Sequence, residues 1–417
     1  MDKVRPAQGL SDPYKNPELF RWLDSLEGAP DWLGPGETDT ERVHWFPWQR
    51  RGNYYFELVG TTLPGLALAL LVALIGGLVA DLLGMVLGLE KTPVSPILVA
   101  ILLGLLVRNA IGLPTVYEAG LQLALKKVLR VGVALLGIRL SLAATGTIGL
   151  VALPIVLGCI TTALLLVTRI GTWAGLPTRL STLIAVGTAI CGNSAIVAMA
   201  PVIEARDDEV SYAVGCVTIF GLVALIFYPF LGHTLFAGDA TLVGLFLGTA
   251  IHDTAQVAGA GLVYMAQFGA PEALDSATVT KLQRNMFMLA VIPAMALYFR
   301  QRRATGSLRS QIKQAIPLFV LGFLAMSLVR TLGDLGTRPF GLMEPSAWVE
   351  IIDGTTWVAT LCLAIAMASV GLGTSFSRLR GLGLRPLGVG FMAALLVGAM
   401  SYLLVRLLGP LAATAAG

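Results

Sequence analysis

Long apolar runs alternate with short polar connections over most of the chain. After residue 57 there are eleven such runs, each of about 20 residues, the length that crosses a bilayer. The pattern therefore predicts an all-α polytopic membrane protein with about eleven transmembrane helices. The runs lie near 60–86, 94–112, 127–146, 148–168, 180–203, 210–232, 242–267, 282–299, 314–331, 348–372 and 386–408. Only the short segment TGTIG separates the third run from the fourth.

Composition supports a membrane protein. Of the 417 residues, 56% are hydrophobic and 13% charged, whereas soluble domains carry about 25% charged residues. The net charge of +4 is too small to indicate a nucleic-acid partner. The four cysteines all lie in apolar runs without a disulfide pattern. No GxxxxGK[ST] motif for ATP occurs, and we expect no cofactor, no metal and no enzymatic activity.

Residues 1–57 form a polar arm, and residues 58–417 form the transmembrane domain. The arm has no apolar core of a signal peptide. Its last part, VHWFPWQRRGNYYFELVG, concentrates aromatic rings around Arg50 and Arg51, a composition suited to the lipid headgroup layer. We expect this arm to lie on the cytoplasmic face, with a solvated tail as the alternative.

Loop charges predict the orientation. One set of loops is rich in arginine and lysine, and the opposite set carries few of them and holds the acidic segment 204–209. Because positive residues stay in the cytoplasm, the N-terminus is expected inside and the C-terminus outside. The basic set contains Arg50, Arg51, Lys126, Lys127, Arg130, Arg169, Arg179, Arg300, Arg302, Arg303, Arg309, Lys313, Arg378, Arg380 and Arg385.

The fifth run contains a predicted helix break. Its sequence VGTAICGNSAIVAMAPVI combines glycines that weaken a helix with Asn193 and Ser194, which suit the start of a new one. A restarted helix directs free N–H groups and a positive dipole end at the break, which suits an anion. The alternative is tight helix packing through small residues. Site candidates here are Thr188, Cys191, Gly192, Asn193 and Ser194.

The seventh run, GTAIHDTAQVAGAG, repeats the GTAI of the fifth and places polar residues at membrane depth. A charge there costs at least about 2.5–3.5 kcal/mol, so Asp253 is expected to have a function. Asp253 and His252 are candidates for coupling to protons or sodium, and a structural hydrogen-bonded pair is the alternative. Thr249, Thr254 and Gln256 are further substrate-binding candidates.

Three basic residues lie in or at the ends of apolar runs. Arg139, near the centre of the third run, is expected either to bind substrate or to pair with Asp253. Lys281 and Arg284 open the eighth run on the outer side. They are expected to attract anions or, as we slightly favour, to anchor the helix at the interface.

Two internal resemblances point in different directions. LLGIRLSL (135–142) resembles SVGLGTSF (369–376), and the runs that hold them are predicted to be antiparallel, as in inverted repeats. The GTAI pair lies in the fifth and seventh runs, which are predicted to be parallel. One simple two-fold cannot generate both pairs if these predictions hold.

Four segments resemble the YeiH-like sulfate exporter family: GTAICGNSAIVAMAPVI, EARDDEVSYAVG, GTAIHDTAQVAGAG and TVTKLQRNMFM. The resemblance runs from about residue 60 to 417. It implies a bacterial inner-membrane anion transporter related to the bile-acid-symporter-like fold. That fold has a panel domain, a core domain and two discontinuous helices crossing near the midplane. The motif match implies a site lined by Thr188, Cys191, Gly192, Ser194, His252, Asp253, Thr254 and Gln256.

The favoured function is secondary active transport of a small inorganic or organic anion: sulfate, another sulfur oxyanion or a sulfonate. An anion channel and a membrane sensor or enzyme are the alternatives. Expected partners are the anion, H+ or Na+ as coupling ion, the lipid bilayer and, as an open alternative, a second copy in a homodimer. We place the substrate between the two breaks, with Arg139 balancing charge.

Overall fold

The computed structural model describes residues 47–86, 94–299, 318–335, 338–341, 343–377 and 383–410, with side chains from residue 59 onward except 296–298. The regular elements within these ranges are all helical. The first eight are α1 Pro47–Val86, α2 Pro96–Leu106, α3 Glu118–Leu123, α4 Leu129–Leu135, α5 Leu142–Thr162, α6 Thr168–Trp173, α7 Thr178–Ala189 and α8 Asn193–Met199. The next eight are α9 Asp207–Leu235, α10 Ala240–Ala250, α11 Thr254–Phe268, α12 Glu272–Met286, α13 Met288–Tyr298, α14 Leu318–Gly333, α15 Pro345–Gly373 and α16 Leu384–Leu408.

Several segments in the described residues have the length and apolarity of membrane spans. Five helical segments meet both criteria: Val59–Val86, Leu142–Trp173, Asp207–Leu235, Pro345–Gly373 and Leu384–Leu408. Because α1 begins at Pro47, the end of the predicted arm is helical. Residues 1–46 lie outside the described residues.

The boundaries of two predicted runs are corrected. The third helical run starts at Glu118 and ends at Arg139. The chain then extends through Leu140, and the hydroxyl of Ser141 caps α5 by accepting from the N–H of Ala144. TGTIG therefore lies inside α5 rather than between helices. The eighth run starts ten residues earlier than predicted, at Glu272, because the polar first half of α12 is buried in protein and does not register as apolar.

The fifth predicted run folds back as a hairpin, α7–α8, which we call the first hairpin. The Cδ1 atom of Ile196 lies 2.7 Å from the position that a Cβ would take on Gly187. In a straight helix, residues nine apart would be about 13.5 Å apart along the axis. Since α8 packs alongside the end of α7, the prediction that this run crosses the membrane is corrected.

The seventh predicted run also folds back, as the second hairpin, α10–α11. The hydroxyl of Tyr264, in the last third of α11, donates to the carbonyl of Gly238 (3.3 Å), just before α10 begins. A straight continuation would separate these residues by more than about 30 Å. The two predicted discontinuous helices are therefore two broken hairpins.

Helix α9 shows that the hairpins enter from opposite sides. It runs parallel to α16, because Gly390 packs on Cys216 and Gly398 on Tyr228. The predicted alternation makes these two helices antiparallel, and that prediction is corrected. The first hairpin returns the chain to its side of entry, so α9 crosses in the opposite sense, and the second hairpin starts from the far end of α9.

The helices pack into two bundles. The first contains α1 to α4, α14 and α15, and the second contains α5 to α13 and α16. Gly104 and Gly371 let the backbones of α2 and α15 come into contact in the first bundle, the close packing that small residues allow in membrane helices. Both hairpins belong to the second bundle, and α11 faces α2 and α15 across the boundary.

Candidate functional site

The tips of the two hairpins meet in the interior of the second bundle. In the first tip, Gly192 precedes α8 with a φ of +74°. In the second tip, Asp253 caps α11, its Oδ1 accepting from the N–H of Ala255 (2.8 Å). A Cβ on Gly192 would lie 3.0 Å from Oδ2 of Asp253, so the glycine allows the two tips to come this close without a shift of Asp253.

Both tips expose helix C-termini, where the last four carbonyls lack helical partners. In a membrane an unpaired backbone group costs several kcal/mol. Here α12 supplies the missing donors through two cations that are essentially fully buried, Lys281 and Arg284.

The Lys281 ammonium bridges the two tips. It donates to the carbonyls of Ile190 (2.9 Å) and Ile251 (3.0 Å) and to that of His252. Three acceptors use the three hydrogens of an ammonium, whereas a neutral amine has two. These contacts match an ammonium, and we therefore take Lys281 as charged.

The Arg284 guanidinium repeats this bridge one turn along α12. It donates to the carbonyls of Ala189 (2.6 Å), Thr249 (2.6 Å) and Ile251 (3.2 Å), and to that of Thr188. The two GTAI motifs are thus held at equivalent atoms. Arg284 takes the threonine carbonyl of each motif, and Lys281 takes the isoleucine carbonyl of each. We name the six carbonyls the carbonyl cage: Thr188, Ala189, Ile190, Thr249, Ile251 and His252.

Sequence reasoning missed this role of Lys281 and Arg284, which it slightly favoured as interfacial anchors. One signal was available. The two cations are three residues apart, so they share a helix face, and the same segment carries the polar residues Ser276, Thr278, Thr280 and Asn285.

A cavity of about 830 Å³ lies between the two bundles and ends at the hairpin tips. Lys126, Lys127 and Arg130 line it on the first bundle, and Lys127 and Arg130 are exposed. Its polar lining at the tips comprises Cys191, Asn193, Ser194, Thr218, Asp253, Thr254, Gln256 and Asn285.

Three amide side chains form a layer at the tips. Gln256 donates to the carbonyl of Thr218 (3.1 Å), Asn193 to the hydroxyl of Thr218 (3.3 Å), and Asn285 to the hydroxyl of Thr254 (3.1 Å). Within the described residues, the buried carbonyl oxygens of Gln256 and Asn285 have no protein partner. Buried polar atoms are normally hydrogen-bonded, and the Gln256 oxygen instead packs against Gly221 of α9.

Most of the predicted site residues lie together at this cavity. Cys191, Asn193, Ser194, Asp253, Thr254 and Gln256 line it. Gly192 lies directly behind Asp253. No side chain caps α8, whereas α11 is capped by Asp253 itself.

Four predicted site residues lie elsewhere. Thr188 is buried and contributes its carbonyl to Arg284. The hydroxyl of Thr249 bonds the carbonyl of Leu245 (2.7 Å) and the hydroxyl of Ser401 (2.6 Å). His252 is buried, and both its ring nitrogens lack a hydrogen-bond partner in the described part of the chain.

Arg139 takes a partner that the sequence did not indicate. It forms a two-pronged ion pair with Asp275, with Nε–Oδ1 at 2.8 Å and Nη2–Oδ2 at 3.1 Å. Asp275 lies in the first turn of α12, so the pair joins the two bundles. Arg139 therefore pairs with Asp275 and not with Asp253, because the third helix ends at Arg139 rather than carrying it at its centre. Its role in substrate binding stays a prediction.

The charges around the tips leave a positive surplus. Lys281 and Arg284 bring two full charges, and the C-termini of α7 and α10 offset about half a charge each. Asp253 offsets one more, and the N-terminus of α11 returns about half. The inner end of the cavity is therefore slightly positive, and its basic rim adds to this.

Comparison with known proteins agrees with a membrane protein. The family model described as conserved hypothetical protein 698 matches residues 64–390. The chain belongs to this family.

Its relatives are named UPF0324 membrane proteins. One from Fusobacterium nucleatum subsp. nucleatum is 30% identical over 76% of this chain and 91% of its own length. One from Bacillus anthracis is 32% identical over 83% of this chain and 94% of its own, and one from Bacillus cereus is 34% identical over 75% and 87%. No solved structure matches the chain significantly. The relatives are thus named as membrane proteins. Membership of a sulfate exporter family remains a prediction.

Proposed function

We propose that this UPF0324 protein is a secondary active transporter of a small anion in the bacterial inner membrane, working by alternating access. The anion is sulfate, another sulfur oxyanion or a sulfonate. The N-terminus is cytoplasmic, the C-terminus is outside, and the second bundle carries the anion against the first. In the terms of the sequence resemblance, the first bundle corresponds to a panel domain and the second to a core domain.

One observation carries the proposal: the cavity ends at the meeting point of two broken hairpins, next to Asp253 and the uncapped start of α8. In a membrane, irregular backbone is stable only where protein or a water-filled cavity surrounds it. Transporters place their substrate sites at such broken helices near the midplane.

The donors and charges suit an oxyanion. Ser194 and Thr254 present hydroxyls to the cavity, and Asn193 presents an amide. The positive surplus at the tips comes from two cations that are already hydrogen-bonded to the carbonyl cage. The anion therefore feels their field without forming a direct ion pair, which favours release as well as binding.

Asp253 supplies a route to coupling. When ionised it opposes an anion a few ångströms away, and when protonated it removes one negative charge from the site. Proton and anion binding would then reinforce each other, which is the linkage that a proton-coupled transporter requires.

The first test is a binding screen on purified protein with sulfate, sulfite, thiosulfate, a sulfonate and small carboxylates, followed by uptake into proteoliposomes. A transporter is expected to show saturable uptake that responds to an imposed proton gradient. Electrodiffusive flux without coupling would instead indicate a channel. The absence of both binding and flux for every anion would contradict the proposal.

The second test replaces Asp253 by Asn, with Asp239→Asn as the matched control. Both aspartates cap helices of the second hairpin, Asp239 accepting from the N–H of Leu242 (3.0 Å). Since Asn also caps well, both variants should fold. We expect Asp253→Asn to abolish gradient-driven uptake and Asp239→Asn to retain it. Full coupled uptake by Asp253→Asn would reduce that residue to a structural role.

A further inference from the structure

The carbonyl cage has the chemistry of a monovalent-cation site. It gathers six backbone oxygens from the C-terminal ends of α7 and α10. Each helix C-terminus carries about half a negative charge, and such ends together with unwound carbonyls coordinate sodium in coupled transporters. In this protein the oxygens converge on two side chains of α12 instead.

We propose that the Lys281 ammonium is a tethered cation filling a monovalent-cation site at the hairpin tips, so that the protein binds no sodium there. It uses the carbonyls of Ile190, Ile251 and His252, one from the first hairpin and two from the second. The assignment also has a consequence for transport, which rests on the proposed function: sodium does not drive transport at this site.

Arg284 makes the assignment testable. Its guanidinium independently joins the two hairpins through Thr188, Ala189 and Thr249. Removing the Lys281 side chain therefore leaves the tips tied together. It opens a space lined by three carbonyl oxygens, and a small ammonium or alkali ion would restore the lost charge and hydrogen bonds.

The experiment uses the full chain in detergent and follows thermal unfolding in sodium, potassium, ammonium, methylammonium and choline chloride at matched ionic strength. The wild type is expected to unfold at the same temperature in sodium as in choline. Lys281→Ala is expected to unfold at a lower temperature in choline and to be stabilised saturably by ammonium or methylammonium. Lys127→Ala, which removes an exposed charge from the cavity rim, should show no cation-specific response.

Two results would overturn the proposal. One is a sodium-specific stabilisation of the wild type, a measurement that needs no variant. The other is a folded Lys281→Ala protein that responds to none of the small cations. If Lys281→Ala does not fold, the wild-type comparison of sodium with choline still decides, because a sodium-specific stabilisation would contradict the tethered cation.

Transport gives a separate readout. Anion uptake into proteoliposomes is expected to be unchanged when sodium is replaced by choline, and a strict sodium requirement would contradict the tethered cation. Absence of uptake in every salt, together with the expected unfolding behaviour, would instead refute the proposed function and leave the cation assignment standing.

Discussion

Substitution of Gly192 tests whether the two hairpin tips are in close contact. Its φ of +74° and ψ of −127° lie in a region that non-glycine residues rarely adopt, and such strain is of order 1–3 kcal/mol. An added Cβ would also lie 3.0 Å from Oδ2 and 3.2 Å from Cα of Asp253. Relieving an overpacked contact of this kind typically costs about 1–3 kcal/mol more.

Gly112→Ala is the matched control for Gly192→Ala. Gly112 has a φ of +82°, yet a Cβ there would have no neighbour within 4 Å. Both variants carry backbone strain of about 1–3 kcal/mol, and only Gly192→Ala also pushes on Asp253. We therefore expect Gly192→Ala to be the more destabilised by about 1–3 kcal/mol.

The assay compares thermal unfolding of both variants at one scan rate, because membrane proteins often unfold irreversibly, and then anion binding in the folded fraction. Gly192→Leu should force the two tips apart and remove binding while the protein stays monodisperse. Equal destabilisation of Gly192→Ala and Gly112→Ala would refute the close contact between the tips. If Gly192→Leu bound the anion as well as the wild type does, the anion site would not lie at the hairpin tips.

Two further predictions concern the packing of the bundles and the topology. Arg139→Ala leaves the nearly buried carboxylate of Asp275 unpaired, so we expect a loss of about 3–5 kcal/mol. The double variant Arg139→Ala/Asp275→Ala should recover part of this in thermal unfolding, and strictly additive effects would contradict the pairing. In a cysteine-free background, a membrane-impermeant reagent added outside should label Ala237→Cys and leave Glu204→Cys unlabelled, and the reverse pattern would restore two crossing helices. A reporter at Gly417 should be extracytoplasmic. If reporters at the N-terminus and at Gly417 were both cytoplasmic, the number of membrane crossings would be even rather than odd.

The positions of the two breaks were predictable because local chemistry determines them. Gly192 is required by a positive φ, and Asp253 caps α11 with its own carboxylate. Glycine and capping residues act over a few residues of sequence, so their effect is readable without knowledge of the fold. Their gathering at one cavity was also expected, from the motif pair.

The folding back of each hairpin was not predictable from hydropathy. The first hairpin joins helices of 12 and 7 residues, which together have the length of one membrane span. The length of an apolar run shows how many residues are buried in the membrane or in protein. It does not show whether the chain crosses the membrane or turns back to the side from which it entered. What distinguishes the two cases is a tertiary contact, such as Ile196 against Gly187.

The roles of Lys281 and Arg284 were hidden for a related reason. Hydropathy assigns a polar helix to an interface, and the first half of α12 is polar. Lys281 and Arg284, in its second half, are buried because two other helices end beside them with unpaired carbonyls. Those carbonyls are 29 to 96 residues away in sequence. Arg139 and Asp275, which pair across the two bundles, are farther apart still, at 136 residues.

The hairpins also resolve the conflict between the two internal resemblances. When both GTAI segments are taken to cross the membrane in the same sense, they contradict the antiparallel pair at 135–142 and 369–376. In the structure α7 and α10 enter from opposite sides, so the GTAI pair is antiparallel too. Arg284 bonds the threonine carbonyl of each motif and Lys281 the isoleucine carbonyl of each, so the two GTAI segments present equivalent atoms to α12. The order along the chain is swapped, because GTAI follows its partner motif in the first half and precedes it in the second. One inverted repeat therefore accounts for both resemblances if its two units are circularly permuted, and the carbonyl cage lies where they meet.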